Sequence, residues 1–332
     1  RSRKLKNIQA DIKSGNFKQV YLLYGEEAYL KQQYKQNLVK ALNPDGDTMN
    51  FNHYEGKGID VKQLIDLCET MPFFAERRVV LLEDTGFFKN KCEELADYMK
   101  ELPDYLYLVF AETEVDKRNR MYKAVKACGS IAEFIRQDEK TLMRWAAGIL
   151  GKAGKKITQR DMELLLTKTG TDMGNLRMEM EKLISYTEGR DVVTAEDIEE
   201  ICTTQTTNRI FDMVRAVTEK NQKRALELYY DLLTLKEPPM RILFLLAKQY
   251  RQLLLAKQFA AAGLAQTEIA SKLGVPGFVV RNITTCARAY TISELEQAVK
   301  DFVDAEESVK TGRLEDKLSV ELLIIKYSSK VK

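Results

Sequence analysis

Between Val20 and Phe134 the chain switches repeatedly between two hydrophobic periods, and this switching restricts its fold more than any other feature. Val20-Tyr-Leu-Leu-Tyr24 is a short apolar run closed by Gly25. From Glu27 to Leu42 the residues Leu30, Tyr34, Leu38 and Leu42 then recur on one helical face. The alternation continues with a strand near Met49–Tyr54 and a helix capped by Asp60 that runs to about Thr70. Next come a strand at Arg78–Glu83, a helix near Cys92–Glu101, a strand at Tyr105–Ala111, a helix around Arg120–Ala127 and a strand at Ile131–Phe134. Apolar strands alternating with amphipathic helices predict a parallel sheet covered on both faces, because such strands carry no polar side to give to water.

After Gln137 the strand signal stops. Asp138–Ala153 is amphipathic, Gly151–Lys156 reads as a basic linker, and Thr158–Thr167 and Asn175–Tyr186 read as helices. Thr194-Ala-Glu-Asp197 has the acidic third residue of a capping box and opens a further helix to about Cys202. The polar break Thr203–Asn208 precedes longer helices over 210–218, 222–235, 239–262, 267–273, 279–290, 292–310 and 314–327. Pro239 suits a first helical turn and Gly312 a helix stop. The expected fold class is therefore α/β followed by all-α. With 332 residues, 45% hydrophobic and 30% charged, such a chain has enough apolar material for two or three domains and is not a disordered one.

Lys and Arg number 52 against 49 Asp and Glu, a net +3, too balanced to coat nucleic acid by bulk charge. No apolar run reaches the ~18 residues that span a bilayer. The basic start Arg1–Lys6 leads into mixed polar sequence instead of the apolar core of a signal peptide, so the expected compartment is the cytoplasm. Five scattered cysteines without a CxxC pair argue against a disulfide framework or a zinc module.

The turn after the first strand is where a phosphate-binding loop would sit. Tyr24-Gly-Glu-Glu-Ala-Tyr-Leu-Lys31 lacks the second glycine of that motif, has Gln32 where Ser or Thr is required, and places Glu26 and Glu27 in an acidic first turn that repels phosphate. Val79–Asp84 has the outline of a magnesium-holding strand, but acids at strand ends commonly just face solvent. His53 has no Cys or Asp at ligand spacing, and no serine lies in a nucleophile context, so no catalytic residue, cofactor site or metal site is expected. Basic residues cluster at Lys117–Arg120 and Lys152–Lys156, and Arg241, Lys248, Arg251 and Lys257 lie along one long helix. Such groups are more often solvated faces than contacts to a nucleic-acid backbone.

One segment departs from these patterns. The helix carrying Val61, Leu64, Ile65 and Cys68 ends at Met71-Pro72, and Phe73-Phe74-Ala-Glu-Arg-Arg78 follows before the next strand. In an extended segment two consecutive aromatics point to opposite sides, so both reaching one core is difficult. One ring in the core with the other over a loop, and an apolar pair offered to a partner, both remain open on the residues alone.

Taken in order, Val20–Leu30, Glu69-Thr-Met-Pro-Phe-Phe-Ala-Glu-Arg-Arg78, Asn175–Leu183 with Tyr186, Pro276-Gly-Phe-Val-Val280 and Ser308-Val-Lys-Thr-Gly-Arg313 resemble the delta-subunit family of the bacterial DNA polymerase III clamp loader, over essentially the whole chain. The resemblance implies an AAA+ like parallel-sheet domain with a degenerate phosphate loop over 1–137, a small helical lid domain over 138–207 and a C-terminal helical collar domain over 208–332. It implies a non-catalytic subunit of a holoenzyme whose activity as a complex is that of a DNA-directed DNA polymerase. That subunit would sit in a five-membered assembly with ATPase subunits and delta-prime, bind the sliding clamp (the beta subunit) and help open it for loading onto primed DNA, with no cofactor and no membrane. The family's clamp-binding element falls on Met71, Pro72, Phe73 and Phe74, with Phe-Phe here where one branch has Leu-Phe. The Ser-Arg-Cys arginine-finger motif and four-cysteine module of the family's relatives do not occur in this sequence. Competing readings are an AAA+ like ATPase with an unorthodox phosphate loop and an unrelated helical scaffold.

Overall fold

The computed structural model describes residues 3–203 and 206–329, which fall into two compact units divided between Gln137 and Asp138. The first unit runs α1 (Arg3–Ser14), β1 (Val20–Tyr24), α2 (Ala28–Leu42), β2 (Phe51–Glu55), α3 (Val61–Glu69), β3 (Arg78–Glu83), α4 (Glu93–Tyr98), β4 (Leu106–Glu112), α5 (Arg120–Cys128) and β5 (Ser130–Glu133). All five strands are parallel, in the order β2-β3-β4-β1-β5. Because side chains alternate along a strand, Val20, Leu22 and Tyr24 enter one core with Val80, Leu82, Leu108 and Phe110. Tyr21 and Leu23 enter the core on the other face with Val79, Leu81, Val109 and Ala132. Both faces are thus covered, as continuous apolar strands require.

Helix α1 is absent from the expected order of elements, although Leu5, Ile8 and Ile12 recur at helical spacing. Ile8 is fully buried against the second core. The Tyr21 hydroxyl ties it down by donating to Asp11 (2.9 Å) while accepting from the Lys18 amide (2.9 Å).

The second unit contains α6 (Glu139–Lys152), β6 (Lys156–Ile157), α7 (Gln159–Thr169), α8 (Met173–Tyr186), β7 (Val192–Val193), α9 (Ala195–Ile201), α10 (Thr206–Thr218), α11 (Gln222–Thr234), α12 (Pro239–Ala261), α13 (Gln266–Leu273), α14 (Gly277–Ala287), α15 (Ile292–Lys310) and α16 (Asp316–Ser328). Two expectations need correction. The basic linker ends in a strand: Lys156 and Ile157 pair in parallel with Val192 and Val193, a two-residue ladder too short to leave a periodic signal. The polar break after Cys202 is shorter than its composition suggests, since α10 already begins at Thr206; residues 204 and 205 lie outside the described chain. Thr194 and Asp197 form the predicted reciprocal capping box. From α10 onward one apolar core runs through Met213, Tyr229, Leu246, Leu253 and Phe302 to Ile324, with the Tyr250 ring packed against Tyr290, Phe302 and Tyr327. No helix among the described residues is long and apolar enough to cross a membrane.

Candidate functional site

The loop between α3 and β3 carries the residues singled out in the sequence. Met71 is 75% exposed, Phe73 56% and Phe74 94%, with Pro72 half-buried between them, so neither ring belongs to the core. The rings do not point to opposite sides, as an extended segment would require. Phe74 adopts a φ of 48°, which folds the chain back and brings the two rings edge to face with centroids 4.5 Å apart. The outcome is one apolar knob of two rings, with Met71 exposed on the same loop.

Two buried polar side chains hold the loop in this form. Asn50, just before β2, accepts from the Phe73 amide (2.7 Å) and donates to the Phe73 carbonyl (2.9 Å), pairing with that backbone as a neighbouring strand would. Asp47 fixes the Asn50 amide in turn. Arg78, 5% exposed at the head of β3, donates to the carbonyls of Thr70 (2.9 Å) and Met71 (3.3 Å) and to Asn52 Oδ1 (3.2 Å). It thereby satisfies carbonyls that the end of α3 leaves open. Beyond Phe74 the Arg77 guanidinium lies over the rings of Phe17 (5.2 Å) and Tyr107 (5.5 Å), closing the loop from the other end. Sequence reasoning missed Asn50 and Arg78, whose partners lie up to 26 residues away. The available signal was a charged residue opening an otherwise apolar strand. Asn50→Ala should lower stability by about 0.5–1.5 kcal/mol and speed hydrogen exchange at the Phe73 amide, because a part-buried backbone pair loses its partner. Unchanged exchange at that amide would mean that something else holds the loop.

The β1–α2 turn uses its polar groups internally. The Gly25 amide donates to the Glu112 carbonyl (3.3 Å) and the Glu27 amide to the Phe134 carbonyl (3.0 Å), so amides that would line a phosphate nest face protein oxygens instead. Lys31 donates to the Glu112 carbonyl (3.0 Å), and burial lowers the pKa of its ammonium. The acidic first turn needs revision, since α2 starts at Ala28. Glu27 is the buried residue preceding it, and Glu26 faces Arg136 at 3.5 Å.

The acids ending β3 are also engaged. Glu83 is not the solvated strand end expected from the sequence: Lys35 (2.6 Å) and His53 (2.9 Å) both pair with it, which gives His53 a carboxylate partner on the adjacent strand. Asp84 accepts from the Thr113 amide (2.8 Å). Among the described residues no group of three or more His, Cys, Asp or Glu is placed to hold a metal ion.

A five-stranded parallel sheet in this order with a helical region following it defines an α/β protein with a helical C-terminal part, here one whose first strand–helix turn is closed and whose α3–β3 loop presents apolar rings. Residues 21–134 match the family described as DNA polymerase III, delta subunit, and residues 207–327 match the DNA polymerase III delta subunit, C-terminal domain. The chain belongs to the DNA polymerase III delta-subunit family. It is 26% identical to the DNA polymerase III subunit delta of Bacillus subtilis, over 96% of this chain and 95% of that one. It is 22% identical to the probable DNA polymerase III subunit delta of Aquifex aeolicus, over 77% and 75%. The solved structure of the Bacillus subtilis DNA clamp loader delta protein has a similar fold, with a TM-score of 0.67 and 24% identity, covering 98% of this chain and 100% of that one.

Proposed function

We propose that the chain serves DNA replication as the clamp-binding member of a clamp loader, seating Met71, Pro72, Phe73 and Phe74 in an apolar pocket of the sliding clamp and favouring the open ring. The observation that carries this reading is the Phe73–Phe74 knob, exposed to water yet fixed from below by Asn50 and Arg78. Two paired rings left in water cost free energy in the free protein, and a partner's pocket recovers it. A ligand shifts a conformational equilibrium by its differential affinity for the two states, so the knob must bind the open or distorted clamp interface better than the closed one.

In this reading the chain acts in the cytoplasm and hydrolyses no ATP, because the amides of Gly25 and Glu27 and the acids Glu83 and Asp84 are already engaged. Its division of labour is an AAA+ like domain over 1–137, a lid over 138–207 and a collar over 208–332 that joins the ATPase subunits and delta-prime around primed DNA. Helix α16 suits the collar role: Val320, Leu323 and Ile324 are buried in the unit's own core, while Leu318, Leu322 and Ile325, spaced as one helical stripe, are exposed.

The test is release of the sliding clamp from nicked circular DNA. Adding the intact chain without nucleotide should accelerate release, and adding ATP should change nothing. No acceleration, or acceleration that requires ATP, would contradict the proposal.

A further inference from the structure

Charge is distributed unevenly along the second unit. From Pro238 to Tyr290 there are seven Lys and Arg against the single carboxylate Glu268, a net +6 where the whole chain carries +3. Helix α12 contains no Asp or Glu at all. Its apolar side, including Leu243, Leu246, Tyr250 and Leu253, is buried in the core. On the opposite side Arg241, Phe244, Lys248 and Arg251 follow one another at helical spacing and are all exposed, Phe244 to 61%. The same line continues to the half-buried Phe259, over whose ring the Lys272 ammonium lies at 5.5 Å. This face is about 27 Å long at 1.5 Å per residue.

The other basic clusters differ in kind. Lys117, Arg118 and Arg120 pair with Glu133, Asp116 and Asp97, and Lys155 donates to the carbonyls of Thr187 and Arg190. On the α12 face Arg241 meets Glu237 at 3.3 Å, and no ion pair to Lys248 or Arg251 occurs among the described residues.

We infer that the exposed face of α12 binds single-stranded nucleic acid, its cations tracking the phosphates and Phe244 stacking on an unpaired base. Cations in line attract any polyanion, but an exposed aromatic set between them gains from a partner that offers flat π faces beside its charges. A duplex keeps its bases stacked inside, so Phe244 favours the single strand. This rests on the proposed function only in that a clamp-loader subunit meets primed DNA, which carries a single-stranded template.

The test is fluorescence anisotropy of a labelled oligothymidylate of ~20 nucleotides titrated with the intact chain at about 50 mM salt and above, conditions under which phosphate contacts register. Saturable binding is expected. Phe244→Ala should weaken it about five-fold or more while leaving duplex binding unchanged. Lys248→Gln with Arg251→Gln should reduce the slope of log affinity against log salt by about 1.4, two single-strand phosphate contacts. Three results would overturn the inference: no saturable binding, wild-type behaviour of both variants, or a polyglutamate peptide bound with the same sensitivity to Phe244→Ala, which would make the occupant an acidic protein segment. Clamp binding, measured alongside, should be unaffected in both variants. If the wild-type chain failed to bind the clamp yet kept this oligonucleotide pattern, the proposed function would fall and the α12 assignment would stand.

Discussion

Replacing Phe73 and Phe74 together by Ala should lower affinity for the sliding clamp by roughly 10²- to 10⁴-fold and leave the melting temperature within about 1 °C of the wild type. Burying one Phe side chain is worth roughly 1.5–3 kcal/mol, so two rings lost from a pocket cost about 3–6 kcal/mol of binding. The stability half of the expectation follows from exposures of 56% and 94%, which leave little buried contact to lose in the free protein. Were these rings core residues, the double variant would lose several kcal/mol of stability, as Phe-to-Ala changes in packed cores do. A melting curve and a clamp titration on the same variant separate the two cases. A destabilised variant, or a stable one with unchanged clamp affinity, would remove the knob from the account.

Gly25→Ala is expected to destabilise the first unit by about 3 kcal/mol or more. Gly25 has a φ of 124°, and a Cβ there would stand 2.3 Å from the Phe134 carbonyl oxygen and 2.9 Å from its carbon, both backbone atoms. Relieving that clash means moving β5 away from the β1–α2 turn, and with it the bond from the Glu27 amide to the Phe134 carbonyl. Chemical denaturation followed by a probe in residues 3–137 reads the effect. Wild-type stability would show that the turn is not closed in the way described. The same closure is what the proposed reading relies on: a phosphate nest needs amides free to face a ligand, and here two of them face carbonyls.

The sheet is largely legible because β1, β3 and β4 are apolar on both faces, and their pattern marks Val20–Tyr24 and Arg78–Glu83 to the residue. The β6–β7 pair is too short to show a period, and in α1 the period of Leu5, Ile8 and Ile12 is short and set among charged residues, although Ile8 is fully buried. The knob was legible in its residues and not in its shape. A positive φ at Phe74 is a conformation that sequence does not announce at a bulky residue, so the mutual packing of the rings appears only in three dimensions. The supports were hidden for a different reason. Asn50 acts through hydrogen bonds to a loop 23 residues away, which no local pattern announces, whereas Arg78 shows only as a charge opening an apolar strand, without its carbonyl partners. At the β1–α2 turn the missing motif is visible in the residues, but the hydrogen bonds from the Gly25 and Glu27 amides to protein carbonyls, and the Glu26–Arg136 pair, appear only in the folded chain.

The most direct test of the account is a titration of the intact chain with purified sliding clamp in the absence of nucleotide, run beside the Phe73→Ala/Phe74→Ala variant. Saturable binding by the wild-type chain, lost in a variant that melts at the same temperature, is the predicted result. Absence of binding by the wild-type chain, or equal binding by both, would contradict it.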